Sequence, residues 1–285
     1  MSGAGGFGGL DRLPRIGLEE LNTTAALQTR IDRKYVVDRT LADRLLRTLP
    51  APALLLETGG PDGSAYDSVY FDTPSLESYR LAAFGRRRRY KIRTRTYAGT
   101  GGCFLEVKTE GARSATVKER IEHDPGAPDR LDAEALEYIR SSLQDGIGAP
   151  PDGALAPVLA TSYRRTTLYL PESGSRATID HNVSWRLVAQ QPVAERLVAE
   201  RLVHQQRAAG TDGMARTPRE LTLKSKVVLE TKSGSAAGPL DRHLWAHGVR
   251  PSRISKYATG MALLIPDLPS NRWQRTLCRH LADAA

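Results

Sequence analysis

The sequence predicts an α+β fold, an antiparallel β tunnel or barrel of about eight strands with helices packed outside. Three observations lead to this prediction. Short segments with a period of two residues, separated by turn residues, run from about residue 66 to 121 and resume at 160. In several of them charged residues take one parity and mostly apolar residues take the other. Helical patterns precede, separate and follow these segments, which favours helices covering an antiparallel sheet.

The individual elements follow from local patterns. Strands are predicted at 66–72, 90–97, 103–109, 115–121, 160–170, 175–180 and 227–232. Helices are predicted at 40–49, at 131–143 and over most of the chain from 256 onwards. The glycine-rich residues 1–14 are predicted to be a disordered tail, and 15–285 one tunnel domain. Within that domain, 187–220 contains a near-repeat without an assignable period and is predicted to be an insertion.

Composition limits the classes of protein. The chain has 285 residues, 41 Lys and Arg against 32 Asp and Glu, and a formal net charge of +9. Its 40% hydrophobic and 26% charged residues are typical of a soluble globular protein. We find no apolar run approaching the ~20 residues of a membrane span and no signal peptide, so we expect a cytoplasmic protein. The positive charge predicts an anionic partner.

The charged rows are the most informative feature. Lys91, Arg93 and Arg95 share one strand face, because positions i and i+2 do. A pattern of a glutamate two residues before a lysine occurs twice. For any one strand, a charged row facing solvent explains the pattern as well. All rows together indicate a barrel whose interior carries Arg, Lys and a few carboxylates. The further residues that share faces are Glu106 with Lys108, Thr116 with Lys118 and Arg120, Tyr163 with Arg165, Arg176 with Thr178 and Asp180, and Glu230 with Lys232.

Such an interior is unfavourable unless an anion fills it, since like charges repel strongly at low dielectric. A triphosphate or longer polyphosphate with a divalent metal fits this requirement. Guanidinium and ammonium groups neutralise phosphate oxygens, while carboxylates hold the cation that bridges them.

Nine short segments between about residues 30 and 260 carry a more specific pattern. They are RIDRKYV at 30–36, VYFDT at 69–73, KIRTRTY at 91–97, FLEVK at 104–108, VKER at 117–120, YRRT at 163–166, RATID at 176–180, VLETK at 228–232 and SKY at 255–257. In this order they resemble the polyphosphate polymerase domain of the vacuolar transporter chaperone (VTC) family. That family lies within the triphosphate tunnel metalloenzyme superfamily, together with CYTH-like proteins.

The resemblance implies a phosphotransferase that moves the γ-phosphoryl group of ATP onto inorganic polyphosphate with Mn²⁺ or Mg²⁺. It implies catalytic roles for Lys34, Arg93, Arg95, Arg165 and Lys256. It implies substrate binding by Lys91, Lys108, Lys118, Tyr163, Lys232 and Ser255. The main metal ligand would be Glu230, with Glu106 and Asp180 as weaker candidates. The expected partners are ATP and polyphosphate, without nucleic acid and without a membrane span in this chain.

Two alternatives stay open. CYTH-type members begin with Glu-x-Glu-x-Lys, whereas the same frame in this chain reads Arg30-x-Asp32-x-Lys34, which favours the polymerase-like branch. A tripolyphosphatase or nucleoside triphosphatase would use the same tunnel but orient a water, so that a carboxylate such as Glu106 would be essential. A non-catalytic polyphosphate-binding module would need the cations but no metal ligand.

Two other motifs are assigned no site. His243 and His247 lie at i and i+4 of a predicted helix, but no adjacent Glu and no third ligand accompany them, which disfavours zinc. The run Arg86–Arg89 has the charge of a nucleic-acid patch, yet aromatic residues make up only 6% of the chain. Its outward members are expected to be a solvated face.

Overall fold

The computed structural model of the protein describes residues 6–24, 31–57, 63–99, 101–110, 116–188 and 220–282. The strands are β1 Arg15–Ile16, β2 Ile31–Asp38, β3 Leu54–Leu56, β4 Ser64–Asp72, β5 Arg89–Tyr97, β6 Cys103–Glu110, β7 Thr116–His123, β8 Ala156–Leu170, β9 Ser175–Leu187, β10 Glu220–Leu223 and β11 Lys226–Ser233. The helices are α1 Leu18–Thr24, α2 Arg39–Arg47, α3 Glu77–Ala83, α4 Ala133–Ile147, α5 Pro239–Ala246, α6 Lys256–Leu264 and α7 Gln274–Thr276. A 3₁₀ turn at Pro171–Ser173 and a π-helical turn at Leu277–Leu281 complete them.

The strands form one sheet with the order β2-β11-β9-β8-β4-β5-β6-β7. Every neighbouring pair along this path is antiparallel. The short strand β10 pairs with β9, and β3 pairs with both β8 and β1. The predicted α+β class, with about eight main strands, is therefore confirmed. Within the described residues β2 and β7 do not pair with each other, so the sheet is tunnel-like but not closed.

Helices cover the outer face of the sheet. Leu229 of β11 packs in one apolar cluster with Leu45 of α2 and Leu240 of α5. Leu105 of β6 packs in another with Leu143 of α4. Burying each such side chain contributes about 1.5–3 kcal/mol. Because strand residues alternate, this outer packing leaves the opposite parity, which we call the inner face, for the charged rows. No helix in the described part of the chain is long and apolar enough to cross a membrane.

A third apolar cluster occupies one end of the inner face. It contains Val228 of β11, two residues before Glu230. In the same cluster Trp185 of β9 packs with residues of α3 and α6. Trp185 donates a hydrogen bond from its indole nitrogen to the carbonyl of Lys256, at 2.7 Å. A side chain at Gly260 of α6 would lie 2.1 Å from the Trp185 ring, so only glycine fits there. This packing places the start of α6 beside the charged rows.

The amino-terminal segment differs from the sequence prediction. Residues 6–14 form turns rather than a disordered tail, and Phe7 and Leu10 are each only 3% exposed. The side chain of Phe7 also lies under the guanidinium of Arg39, 5.1 Å from its carbon. Two apolar side chains thus outweigh the glycine content. Residues 1–5, and 189–219 of the predicted insertion, lie outside the described residues.

Candidate active site

Strand register brings cations and carboxylates together on the inner face. Three cross-strand pairs place a cation directly opposite an acid: Lys34 with Glu230, Arg93 with Glu106, and Arg165 with Asp180. Every member except Lys34, whose strand was not predicted, has the parity that the sequence assigned to the charged rows. The arrangement therefore follows from alternation within strands and from pairing between them.

Glu106 of β6 is the centre of one group, the Glu106 ion-pair cluster. Arg93 donates to it from Nε at 2.8 Å, and its Nη2 lies 2.6 Å away. Lys118 Nζ lies 2.8 Å from the carboxylate and Arg95 Nη1 lies 3.7 Å away. Burial opposes ionisation, yet these cations outweigh it and lower the pKa of Glu106 to about 2. The acid is a permanent anion near neutral pH.

Asp180 of β9 is the centre of a second group, the Asp180 ion-pair cluster. Arg165 makes a bidentate contact, with Nε at 2.6 Å and Nη2 at 2.8 Å from the two carboxylate oxygens. Lys256, the first residue of α6, donates to the same carboxylate. Burial again opposes ionisation, but Arg165 and Lys256 lower the pKa of Asp180 to about 2. The cluster fixes two cations across a strand pair and a helix.

Three lysines form a contrasting group, the lysine cluster of Lys34, Lys91 and Lys108. Lys91 is half-buried, and burial together with Lys34, Lys108 and Arg93 lowers the pKa of Lys91 to about 7. Burial and Lys34 also lower the pKa of Lys108, although Glu230 opposes the shift. Among the described residues, neither Lys91 nor Lys108 has a carboxylate ion-pair partner within 4.0 Å. Lys34 lies 3.8 Å from Glu230, so the lysine cluster is only partly compensated and keeps an excess of positive charge.

Glu230 of β11 lies at the border of the lysine cluster. Its carboxylate is 3.8 Å from Lys34 Nζ and accepts a hydrogen bond from Lys232, which also reaches Asp32 at 3.2 Å. Burial opposes ionisation, but Lys34 and Lys232 lower the pKa of Glu230. No three His, Cys, Asp or Glu side chains gather into a metal-binding group in the described residues. A metal site made of protein ligands alone is thus not formed there.

Hydroxyl and guanidinium donors lie beside these charges. Tyr163 of β8 is stacked on Tyr66 of β4, with ring centroids 5.3 Å apart, and Arg165 lies over both rings. The Tyr163 hydroxyl, Arg95 Nε and the Ser68 hydroxyl are buried without a hydrogen-bond partner in the described part of the chain. Burial raises the pKa of Tyr163, but Arg165, Arg95 and Lys256 outweigh it and lower that pKa. These groups can donate hydrogen bonds to an anionic ligand.

The residues predicted from the sequence to bind phosphate or metal have different surroundings in the structure. The predicted phosphate-contacting cations lie in the two ion-pair clusters, in the lysine cluster or, for Lys232, beside Glu230. Ser255 is the N-cap of α6, where its hydroxyl accepts from the backbone nitrogen of Ala258 at 3.4 Å. Glu106, Asp180 and Glu230 are each paired with cations, so ion pairing alone does not single out a metal ligand. The choice of Glu230 as the main candidate rests on the family resemblance.

Two residues of the site were missed by the sequence reasoning. Tyr66 and Ser68 lie on the inner face of β4, opposite Tyr163 and Thr161 of β8. Arg95 lies over the Tyr66 ring, 5.6 Å from its centroid. The signal was present, because both residues share a parity within the predicted strand 66–72. Uncharged side chains gave no reason to assign that face to a ligand.

Comparison with known families gives one extensive match. The family model described as the VTC domain matches residues 29–265 of this chain. No curated protein is significantly similar in sequence. The matched range begins two residues before β2 and ends one residue after α6. It therefore covers both ion-pair clusters and the lysine cluster.

Solved structures add distant similarities. A candidate adenylate cyclase from Bacillus halodurans has 11% identity and a TM-score of 0.46, with 80% of this chain and 94% of that chain covered. The Hippeastrum protein HpAC1, described as a candidate adenylyl cyclase with a dominant triphosphatase activity, has 16% identity and a TM-score of 0.44. That match covers 82% of this chain and 96% of HpAC1. Similarities of this size carry no argument about activity.

Proposed function

Since this chain belongs to the VTC domain family, we propose that it is a polyphosphate polymerase, which transfers the γ-phosphoryl group of ATP to inorganic polyphosphate with a divalent metal. The observation that carries this proposal is the lysine cluster of Lys34, Lys91 and Lys108. Burial, together with repulsion from Lys34, Lys108 and Arg93, lowers the pKa of Lys91 to about 7. A chain of phosphates supplies the anion that Lys91 and Lys108 lack in the described residues.

Binding of the phosphate chain uses groups whose positions are already fixed. The guanidinium groups of Arg93 and Arg165 are held by Glu106 and Asp180, so that little side-chain entropy remains to be lost on binding. The buried, unpartnered hydroxyl of Tyr163 adds a donor between them and Lys256, whose Nζ lies 4.3 Å from the Tyr163 ring centroid. Planar guanidinium groups match phosphate oxygens in geometry as well as in charge.

The residues present fit a divalent metal in one particular way. Mg²⁺ and similar hard ions keep several water ligands and are commonly held by one or two carboxylates plus substrate phosphates. Glu230 supplies such a carboxylate beside the lysine cluster. When bound, the metal would neutralise charge on the phosphate oxygens and help align the triphosphate.

The phosphoryl transfer does not require a covalent intermediate on the protein. An oxygen of the terminal phosphate of polyphosphate attacks the γ-phosphorus, and the bond from that phosphorus to the β–γ bridging oxygen breaks, releasing ADP. The attacking oxygen is already ionised near neutral pH, so no general base is required. Phosphoryl transfer depends mainly on alignment and charge stabilisation. Arg93 and Arg165 are placed to offset charge on the transferred group.

The state of the carboxylates favours polymerase over hydrolase. A hydrolase would need a group that orients or deprotonates a water. Glu106 and Asp180 are each paired with several cations and have pKa values lowered to about 2, which makes both poor bases. Glu230 is engaged by Lys232 and Lys34. A polymerase needs none of the three as a base.

The proposal is tested by incubating the protein with γ-labelled ATP and Mn²⁺ and separating the products on a gel. A polymerase gives a ladder of labelled polyphosphate and one ADP per phosphate incorporated. A hydrolase gives ADP and labelled free phosphate without chain growth, and a binding module leaves ATP intact. Either of the last two outcomes, in a sample that binds polyphosphate, contradicts the proposal.

A further inference from the structure

An exposed arginine run leads from α3 into the inner face of β5. Arg86, Arg87 and Arg88 are exposed, and their side chains make no hydrogen bond or ion pair with the described part of the chain. Arg89 follows as the first residue of β5, is half-buried and pairs with Glu110. It also donates from Nη1 to the carbonyl of Arg86 at 2.8 Å. The exposed run is thus fastened directly to the strand.

The run continues the inner row of cations. Arg89 has the same parity as Lys91 and Arg93, and each step of two residues advances about 6.6 Å along a strand. The cations therefore extend without interruption from the lysine cluster to Arg89, and from there to the exposed Arg86–Arg88. A row of this kind suits a linear polyanion rather than a compact one.

Two arginines from the carboxy-terminal part of the chain lie near the exposed arginine run. Arg272 donates from Nη1 to the carbonyl of Ala82 at 3.2 Å, and it lies close to Gly85, just before the run. Burial, Arg89 and Arg253 lower the pKa of Arg272, and Glu110 opposes that shift. Arg253 is exposed. Positive charge therefore exceeds negative charge around the run.

We propose that Arg86, Arg87 and Arg88, together with Arg253 and Arg272, form an external subsite that holds the polyphosphate chain where it extends beyond the inner face. The identity of the polyanion rests on the proposed function. The exposed aromatic side chain at this place is Phe84, and one ring is a poor basis for stacking successive bases. A flexible phosphate chain needs only the charges.

The subsite distinguishes ligands by length. Tripolyphosphate is satisfied by the inner groups and does not reach the exposed run. A long chain occupies both places at once, and its second contact is intramolecular, which raises the overall affinity. Long polyphosphate is therefore expected to bind more tightly per molecule than tripolyphosphate, by a margin that salt reduces.

The test compares two triple variants with the unmodified full chain. One is Arg86→Gln with Arg87→Gln and Arg88→Gln. The matched control is Arg15→Gln with Arg44→Gln and Arg130→Gln, three exposed arginines elsewhere that lose the same charge. Affinities for tripolyphosphate, long-chain polyphosphate, single-stranded RNA and phosphatidylserine vesicles are measured by calorimetry without ATP or metal. Failure of the proposed catalysis would therefore leave this test intact.

The Arg86–Arg88 variant is expected to bind long polyphosphate about tenfold more weakly, from three exposed ionic contacts, and tripolyphosphate within about twofold of the unmodified chain. Its salt dependence for the long chain should also decrease, and the control should keep both properties. Unchanged affinity for the long chain, or an equal loss in the control, overturns the proposal. So does a loss confined to single-stranded RNA or to phosphatidylserine vesicles, which would assign the run to another partner.

Discussion

Two groups of cations on the inner face differ in whether carboxylates accompany them. In the Glu106 and Asp180 ion-pair clusters, arginines and lysines surround buried acids whose pKa values are lowered to about 2. In the lysine cluster the charges face one another, and the pKa of Lys91 is lowered to about 7. The first group is satisfied within the protein. In the second group Lys34 pairs with Glu230, whereas Lys91 and Lys108 have no carboxylate partner in the described residues and gain an anionic partner only when an anion is added.

The difference assigns separate tasks to similar residues. Cations held by carboxylates are rigid, so they fix geometry and contribute to stability even without substrate. Unaccompanied lysines destabilise the empty protein and gain most when phosphate binds. Substitutions in the two groups should therefore have different, and in part opposite, effects on stability and binding.

The largest effect is expected for Glu230→Gln, at the border of the lysine cluster. The amide keeps the shape but lacks the charge that a hard divalent ion requires, so metal-dependent turnover should be lost. Polyphosphate binding without metal should persist or tighten, because one repulsive carboxylate is gone. Turnover and calorimetric binding, each with and without chelator, measure both. Full activity with unchanged metal dependence would exclude Glu230 as the metal ligand.

Asp180→Asn should destabilise the protein by about 3 kcal/mol, because it leaves the half-buried Arg165 and Lys256 without their anion. Urea denaturation measures this loss. Asp38→Asn is the matched control, since its ion pair with Lys226 at 2.6 Å is exposed on the acid side and should contribute at most about 1 kcal/mol. Equal losses in the two variants would mean that the Asp180 ion-pair cluster contributes no more to stability than an exposed ion pair.

Acid should act on the same cluster. The pKa of Asp180 falls from 3.8 to about 2 on folding, so its stabilising contribution is complete above pH 3.8 and is lost as the pH falls through 2. Asp180→Asn should remove this part of the acid unfolding curve. An unaltered curve would contradict the assigned ion pairs.

Arg93→Ala and Arg95→Ala should each weaken polyphosphate binding by about 1.5–3 kcal/mol, the value of one charged hydrogen bond, and should lower turnover. Both variants should still fold, because Lys118 and the remaining arginine stay beside Glu106. Calorimetry and thermal melting separate the two effects. Wild-type turnover in both variants would show that the inner face is not the phosphate site.

Lys91→Met should have a smaller effect than the preceding substitutions. In the absence of ligand it should stabilise the protein, whereas Asp180→Asn destabilises it. Folding lowers the pKa of Lys91 from 10.5 to about 7, so the unfolded chain binds more protons between these values and stability should rise with pH there. Lys91→Met should lose that rise, be slightly more stable at pH 7 and bind polyphosphate more weakly. Lys224→Met, on an exposed lysine, is the control. Identical pH profiles for wild type and Lys91→Met would contradict the lysine cluster.

The alternation of polar and apolar residues predicted most of the main strands and part of the site. The row Lys91, Arg93 and Arg95 follows from parity alone. β2 was missed as a strand because Tyr35, Val36 and Val37 are all buried, in clusters on both faces, so its apolar residues do not alternate. Strong alternation appears only where one face of a strand is polar.

The division into compensated and uncompensated cations required the structure. Pairing of Arg165 with Asp180 depends on a register shift between Ser162 and Arg164, which no local pattern indicates. Lys256 reaches Asp180 because α6 packs on Trp185, a tertiary contact without a sequence period. Ion pairing therefore depends on long-range packing that the charged rows alone do not contain.

The central claim is that the lysine cluster binds a phosphate chain, and thermal melting with added polyphosphate tests it most directly. Polyphosphate binds the folded state and relieves repulsion among Lys34, Lys91 and Lys108, so it should raise the melting temperature substantially. RNA of equal charge should raise it far less, because single-strand binding depends on aromatic stacking and aromatic residues make up only 6% of the chain. The double variant Lys91→Met with Lys108→Met should lose most of the shift. Stabilisation by RNA that equals or exceeds that by polyphosphate, or an undiminished shift in the double variant, would contradict the claim.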